Sequence, residues 1–316
     1  MSADLPAPPR ELAVYVGDRG PDPVASYLGA GATMRADIED LLPDGWDWQG
    51  KRVLDFGCGS GRLLRHFAPE ARGDAEFWGC DIDAASVRWM QESISPPFHV
   101  LRNDESPPLP LESGTYDLIW TTSVFSHLTD SWAAWLLELH RLLKPDGLLV
   151  ATFMGEGYID VLTDEPWVEE RIGMNVLGYG APWHAGGPMV LHSPWWIRAH
   201  WGRAFDILEL RSYGFMGGGK EGTQGIVLGR RSAVPLTVSD LEALDPDEPR
   251  ELTALGHSLA QVKRERAQLD AMFNEANTAL HALRSQVDGS RAHRAARRAQ
   301  RAVAGARRLR ARARGS

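Results

Sequence analysis

The chain has 316 residues, 43% of them hydrophobic and 24% charged, and no run approaches the roughly 20 apolar residues that a membrane-spanning helix needs. This composition excludes a membrane-spanning protein and is typical of a soluble enzyme with a full core. The net charge of −8 is unevenly distributed along the chain, because residues 289–316 hold ten arginines and no acid. Residues 1–288 hold the other 24 Lys and Arg and all 42 Asp and Glu. Such an acidic body is a poor match for nucleic acid.

Residues 1–22 are rich in proline and lack the apolar run of an export signal. We expect this N-terminus to be flexible. Without an export signal, Cys58 and Cys80 are expected to be reduced thiols and the chain to be cytoplasmic.

Residues 23–235 alternate between helical and strand-like patterns. A helix is predicted from about Ser26 to Leu42, and a helical pattern follows most of the apolar runs. The predicted strands are RVLDF, EFWGCDI, FHVLRND, YDLIWTT, GLLVATF, FDILELRSYG and TQGIVLGRR. This alternation predicts an α/β fold with a mostly parallel seven-stranded sheet. The short loop between the last two strands favours an antiparallel last strand.

Two segments fall outside that alternation. Residues 155–200 are rich in glycine and tryptophan, and we expect an irregular insertion over the carboxyl ends of the strands. From residue 236 to 288, apolar residues recur at spacings of three and four over about five heptads, interrupted by Arg266. The seam consists of Leu252, Leu255, Leu259, Val262, Arg266, Leu269, Phe273, Ala276, Leu280, Leu283 and Val287.

This seam predicts a helical coiled coil that forms a homodimer, with a single amphipathic helix packed on the main domain as the alternative. The Arg-rich tail, residues 289–316, would suit an anionic membrane surface. Nucleic acid could also attract such a tail, and a solvated, disordered end is the third possibility.

The stretch VLDFGCGSGR, residues 53–62, carries the first functional signal. A strand that runs into a glycine-lined turn exposes peptide N–H groups to a ligand, and Asp55 lies two residues before Gly57. The dinucleotide fingerprint requires a glycine where this chain has Arg62, which disfavours a dehydrogenase. Asp81 ends the second predicted strand, where an acid can accept hydrogen bonds from both ribose hydroxyls.

Neighbouring residues extend the predicted ligand site. Ile82 could pack on an adenine face, and Asp104 (or Glu105 beside it) could accept a hydrogen bond from an exocyclic amine. Cys58 is interpreted as a small buried filler rather than a nucleophile. The ligand therefore has a ribose, an adenine and a positively charged end.

In these residues the chain resembles a class I S-adenosylmethionine-dependent methyltransferase. The blocks that carry the resemblance are VLDFGCGSGRLLRHF, FWGCDIDAASVRWM, VLRNDESPPLPLESGTYDLIWTTSVFSHL and ELHRLLKPDGLLVATF. They fall in the family's order within roughly residues 25–232, and LKPDG departs from the usual Gly-Gly at Asp146. The resemblance implies a Rossmann-like fold and S-adenosylmethionine as cofactor.

The resemblance also assigns roles. The residues that it implies for the cofactor are Asp55, Gly57, Cys58 and Gly59 at the methionine moiety, Asp81 at the ribose, Asp104 at the adenine, and the backbone near Thr121 at the ammonium group. The architecture is similar to that of enzymes that modify bacterial surface polysaccharides.

Methyl transfer to a hydroxyl benefits from a general base, and histidine is the usual choice. His184 ranks first and His127 second, with His192 in the same insertion as His184. No residues show metal-ligand spacing, so no catalytic metal is expected.

The acceptor is expected to be a sugar or glycan hydroxyl, because flat indole faces suit sugar rings. The tryptophans in or beside the insertion are Trp167, Trp183, Trp195, Trp196 and Trp201, of which the last three are better interpreted as core. Two alternatives remain open. One is a small-molecule or lipid methyltransferase, and the other is a non-catalytic cofactor-binding protein that recruits partners through its coiled coil.

Overall fold

A computed structural model describes residues 5–15, 21–182 and 186–313, and the chain divides into two units, residues 1–259 and 260–316. The first unit contains all strands of the described residues. The strands are β1 Arg52–Phe56, β2 Glu76–Asp81, β3 His99–Arg102, β4 Tyr116–Thr121, β5 Leu143–Phe153, β6 Met174–Leu177, β7 Met189–His192, β8 Phe205–Phe215 and β9 Gln224–Arg231.

Seven of these strands form one sheet in the order β3-β2-β1-β4-β5-β9-β8. Strands β1 to β5 pair in parallel, whereas β9 runs antiparallel to both of its neighbours, β5 and β8. The predicted mostly parallel sheet with an antiparallel last strand is confirmed. The strand order reverses between β1 and β4, and in open α/β sheets that switch point is where ligands bind.

Helices cover both faces of this sheet. The helices of the first unit are α1 Arg10–Tyr15, α2 Pro23–Leu41, α3 Ala68–Ala71, α4 Ala84–Ser93, α5 Trp132–Leu142, α6 Ile159–Leu162, α7 Pro194–His200 and α8 Val238–Glu242. Because strand side chains alternate between faces, Leu54 and Phe56 join the core under α5 and α7, while Val53 joins the core under α2 and α4.

The N-terminus departs from the flexible segment that its prolines predict. Helix α1 lies within residues 1–22, and its residues Leu12 and Ala13 are buried. The guanidinium of Arg65, itself buried, donates to the backbone carbonyls of Leu5 (3.0 Å) and Pro6 (2.7 Å). A buried cation requires acceptors, and these carbonyls supply them.

The insertion is also more regular than its composition predicts. Strands β6 and β7 form a separate antiparallel ladder in which Met174 is opposite His192. The backbone N–H of His192 donates to the carbonyl of Met154 at 2.7 Å, which ties this ladder to the end of β5. Four-residue strands among glycines give almost no periodic signal, which explains why the sequence predicts an irregular segment.

The first unit extends to Leu259, beyond the boundary predicted at residue 235. Ring nitrogen Nδ1 of His200 lies 2.7 Å from the carbonyl oxygen of Leu241, and Nε2 lies 2.8 Å from the Glu251 carboxylate. His200, Leu241 and Glu251 are all buried. Residues after 235 therefore complete the core of the first unit.

Two helices make up the C-terminal part of the chain, α9 at Arg250–Gly289 and α10 at Arg291–Ala313. The predicted helical extension is thus confirmed as helix. No helix within the described residues is long and apolar enough to cross a membrane.

Candidate active site

The glycine loop follows β1 at the switch point of the sheet. Gly57, Gly59 and Gly61 have φ values of 80°, 53° and 79°, a left-handed conformation that glycine adopts without strain. A Cβ on Gly57 would lie 2.2 Å from Cγ2 of Val124, so no side chain fits there. After the loop the chain forms a 3₁₀ turn, Leu64–Phe67, and then α3.

Asp81 joins this loop to the end of β2. One carboxylate oxygen accepts from the backbone N–H of Gly59 at 2.7 Å, and the other accepts from that of Asp83 at 2.8 Å. Burial raises the pKa of the Asp81 carboxyl. The structure therefore brings together two residues, Gly59 and Asp81, that the sequence predicts for one ligand.

Asp55 lies at the base of the same site and is only 2% exposed. Burial and the nearby carboxylate of Asp81 raise the pKa of its carboxyl, the guanidinium of Arg62 lowers it, and the resulting pKa is about 7. Two neighbouring acids in a buried site are stabilised in their charged form by a cation. The site is therefore complementary to a ligand with a positively charged group.

The end of β4 holds Thr121, which the resemblance places near the ammonium group, together with Ser123 and Gln224, which the sequence does not predict for the site. Thr121 is fully buried, and Ser123 has a φ of 59°, which is unusual for a residue other than glycine. The N–H of Ser123 donates to Oγ1 of Thr152 (2.8 Å), and Nε2 of Gln224 donates to Oγ of Ser123 (3.0 Å). Strained backbone of this kind concentrates at functional sites.

The residues predicted for the adenine lie at the ends of β2 and β3. Asp104 is exposed, and Ile82 is half-buried. The buried polar residue here is Asn103, whose Nδ2 donates to the Asp104 carbonyl at 2.8 Å. Its Oδ1 has no hydrogen-bond partner among the described residues. Asn103 is therefore a better candidate for an amine-bearing ligand than the Asp104 side chain.

Cys58 is buried within the glycine loop. Its sulfur lies 3.7 Å from the sulfur of Met90, and burial raises its pKa well above the ordinary range. A thiol in this state is a poor nucleophile, in agreement with its interpretation as a filler.

Of the predicted bases, His184 lies outside the described residues, as does Trp183. His127 is half-buried, and its Nδ1 donates to the carbonyl of Pro188 at 2.8 Å. Burial lowers the pKa of His127, so its imidazole is neutral at pH 7. A neutral imidazole is the form that a general base requires.

His192 is in a different environment. It is fully buried, its ring centroid lies 5.3 Å from that of Trp196 and 5.9 Å from that of Trp201, and neither ring nitrogen has a partner among the described residues. Burial lowers its pKa to about 3. His192 is therefore a neutral core residue.

The indole rings divide as their spacing predicts. Trp195, Trp196 and Trp201 are buried in the main core. Trp167 is half-buried, and its Nε1 donates to the Glu169 carboxylate at 2.9 Å. Trp167 packs with a separate apolar cluster of the insertion, which consists of Met154, Ile159, Ile172 and Leu191 with Tyr158, Leu162, Leu177 and Met189 around them. Within the described residues, no group of three or more His, Cys, Asp or Glu could hold a metal ion.

Comparison with known proteins finds similarity over the part of the chain that contains the glycine loop and Asp81. Residues 54–149 match the family model of a methyltransferase domain. The mitochondrial arginine-hydroxylase NDUFAF5 of Mus musculus is 30% identical over 140 residues, which cover 43% of this chain and 38% of that protein. The ubiquinone biosynthesis O-methyltransferase of Cereibacter sphaeroides (strain ATCC 17029 / ATH 2.4.9) is 31% identical over 126 residues, 38% of this chain and 47% of that protein.

The chain thus spans less than half the length of these curated relatives. Among solved structures, the complex between the Haloferax volcanii Trm112 methyltransferase activator and a methyltransferase is similar, with a TM-score of 0.50 and 18% identity over 72% of this chain and 99% of that one. This likeness concerns the fold alone. Residues 54–149, within the predicted methyltransferase domain, thus match a methyltransferase model, and they lie on the seven-stranded fold described above.

Proposed function

We propose, from the premise that residues 54–149 are a methyltransferase domain, that this chain is an S-adenosylmethionine-dependent methyltransferase. The observation that carries the proposal is the pair of acids around the glycine loop, the buried Asp55 and the half-buried Asp81. When bound, S-adenosylmethionine supplies a methyl group activated by a positively charged sulfur.

The residues present fit this donor. The Asp81 carboxylate uses one lone pair on each oxygen for Gly59 and Asp83, which leaves acceptor capacity for two ribose hydroxyls. Asp55 offers a buried carboxylate to the cationic end of the donor, and Asn103 offers an unpartnered buried oxygen to an amine. The protein's task in an in-line displacement is to align the acceptor and exclude water.

We further propose that the acceptor is a hydroxyl group, of a sugar or glycan. The polar end of β4, with Ser123 and Gln224, supports a hydroxyl acceptor because both side chains can donate and accept hydrogen bonds. His127, neutral at pH 7 and next to this end of the sheet, can accept the proton that a hydroxyl loses.

A second candidate acceptor is a small apolar or lipid molecule. The apolar cluster of the insertion, around Met154 and Leu191, favours it, because this cluster lies at the end of β5. The ubiquinone methyltransferases among the relatives agree with such an acceptor, although they align with only part of the chain.

Calorimetric titration of the full chain with S-adenosylmethionine, S-adenosylhomocysteine and NAD tests the donor. We expect micromolar binding of the first two and none of NAD. The Asp81→Asn variant should lose at least tenfold in affinity, whereas the exposed Asp74→Asn variant should bind like the wild type. Binding of NAD alone, or equal binding by both variants, would contradict the proposal.

Transfer of a labelled methyl group then separates the acceptors and the non-catalytic alternative. Incorporation into saccharides but not into quinols would support the glycan acceptor, and the reverse result would support the apolar one. Donor binding without transfer to any acceptor would favour a protein that recruits partners through its helix.

We propose that the Arg-rich tail, residues 289–316, contacts an anionic membrane surface. Arg294, Arg298 and Arg301 recur at spacings of four and three on α10, which places them on one helix face. Each basic residue near an anionic bilayer is worth about 1 kcal/mol. Co-sedimentation with phosphatidylserine vesicles but not with phosphatidylcholine vesicles would support this proposal, and equal pelleting of a chain ending at residue 288 would refute it.

A further inference from the structure

Helix α9 carries an apolar stripe on a different face from the one that it buries. In its first turns the buried residues are Glu251 and Ala254, whereas Leu252 is 72% exposed. The stripe continues through the second unit, where Leu269 is 63% and Phe273 66% exposed. The seam is therefore not the face that completes the core of the first unit.

The stripe has the period and the length of a coiled-coil seam. Its residues recur every 3.5 positions on average, the repeat that keeps one face of a helix against a partner helix. The 40 residues of α9 span about 60 Å at 1.5 Å per residue. Exposed large apolar side chains over such a length require a partner of similar length.

Arg266 limits the ways in which two copies of the seam can pair. Its side chain is 84% exposed, and its Nε lies 4.0 Å from the Asp270 carboxylate on the same helix. In a parallel, in-register pair, each seam residue faces its own copy, so two Arg266 guanidinium groups would meet in the seam. Like charges in that position are destabilising.

An antiparallel pair related by a two-fold axis near residue 271 removes this conflict. In that register Arg266 faces Ala276, the smallest residue of the seam, which leaves room for the arginine stem. The neighbouring layers pair Leu269 with Phe273 and Val262 with Leu280. Large apolar residues then meet each other and the one long polar residue meets the smallest, so the seam is complementary to its own reversed copy.

We infer that α9 forms an antiparallel coiled coil with α9 of a second copy of this chain. The pairing is isologous, since a two-fold axis brings the same surface of both copies together. The inference is independent of the donor and of the acceptor, because it rests on the helix alone.

Cysteine cross-linking of the full-length protein tests the register. Val262→Cys and Leu280→Cys single variants, one carrying a tag, are mixed and oxidised in a glutathione buffer. We expect a mixed disulfide between the two variants and little cross-linking of either alone, because like positions lie about 27 Å apart in the antiparallel register. The native Cys58 and Cys80 are buried and remain in all samples.

The controls make each outcome decisive. Asn274→Cys, on the side of the helix away from the seam, reports cross-linking by random collision. Disulfides formed by each variant alone would indicate a parallel pair and would overturn the inference. A monomer in analytical ultracentrifugation at tens of micromolar would overturn it too, and pelleting with vesicles in that case would assign the seam to a membrane.

A substitution tests the same surface without cysteines. Phe273→Glu places a carboxylate against Leu269 in both copies, close to the axis, and should convert the dimer to a monomer, while donor affinity of the first unit stays within twofold of wild type. Glu275→Gln changes a residue outside the seam and should leave the dimer intact. A dimer that survives Phe273→Glu would contradict the proposed pairing.

Discussion

The two halves of the sheet's carboxyl edge differ in the charge of the side chains that line them. Around β1 and β2, Asp55, Asp81 and the glycines form a charged, backbone-lined site in which Asp81 holds the glycine loop. Around β4, β5 and β9, the groups described above are uncharged: a neutral His127, the Ser123–Gln224 pair and an apolar cluster. The charged Glu156 and Lys220 at this end form an ion pair with each other. One half is suited to a cation, and the other to an uncharged acceptor.

Because of this difference, substitutions in the two halves should affect different properties of the protein. Changes in the charged half should alter donor affinity or folding, because the loop conformation and the carboxylates are part of the same structure. Changes in the uncharged half should alter turnover while the donor still binds.

The largest effect is expected for Gly57→Ala. The substitution combines a φ of 80° with a Cβ only 2.2 Å from the Val124 side chain, so it should lower the free energy of unfolding by about 4 kcal/mol. Urea unfolding measures this loss. Adding Val124→Ala should recover the steric part but not the backbone part, and full recovery would mean that the conformation of the loop is not constrained.

The next effect concerns acid stability. In the folded chain His192 is buried and has a pKa of about 3, whereas in the unfolded chain this histidine has an ordinary pKa near 6.5. Between these two values only the unfolded chain carries a proton on His192. Stability should therefore fall by about 1.4 kcal/mol per pH unit between pH 6 and pH 4 from this residue alone. Urea unfolding of His192→Phe should show a shallower loss over this range, and an identical pH profile would contradict the prediction.

A smaller effect is expected in donor affinity as a function of pH. The Asp55 carboxyl has a pKa of about 7, and its charged form favours a cationic ligand. Affinity for S-adenosylmethionine should therefore rise about tenfold from pH 6 to pH 8. Calorimetry on Asp55→Asn should give weaker and nearly pH-independent binding; an unchanged pH dependence would place its origin elsewhere.

The smallest effect is expected in the uncharged half. Ser123→Ala removes the hydrogen bond from Gln224, a contact worth about 1 kcal/mol, and should lower turnover about fivefold. Donor affinity should stay within twofold of wild type. If the donor were lost along with turnover, the division between the two halves would fail. Ser123→Gly offers a matched control, because it removes the same hydroxyl but relieves the φ of 59°.

Local patterns were sufficient to predict most of the sheet. The runs that form β1, β2, β4 and β9 are short and apolar, so their positions agree closely with prediction, whereas β5 begins four residues before the predicted run. The same holds for the placement of Gly59 and Asp81 in one site, because the motif spacing places both at one edge of adjacent strands; the hydrogen bond between them is a finding of the structure.

Features that depend on distant contacts could not be predicted in this way. No local pattern links the residues that pair in the β6–β7 ladder, or Arg65 with Leu5. No local pattern indicates the positive φ of Ser123 either. The boundary at Leu259 is of the same kind, since it depends on burial of residues far apart in the chain.

The buried contact of His200 with Leu241 and Glu251 has a practical consequence for any attempt to shorten the protein. A chain cut where the methyltransferase pattern ends, near residue 235, would leave an imidazole inside the core with neither of its acceptors. Such a fragment should be insoluble even though every motif for the donor is intact. A chain kept through residue 259 retains both acceptors and is the smallest piece worth crystallising.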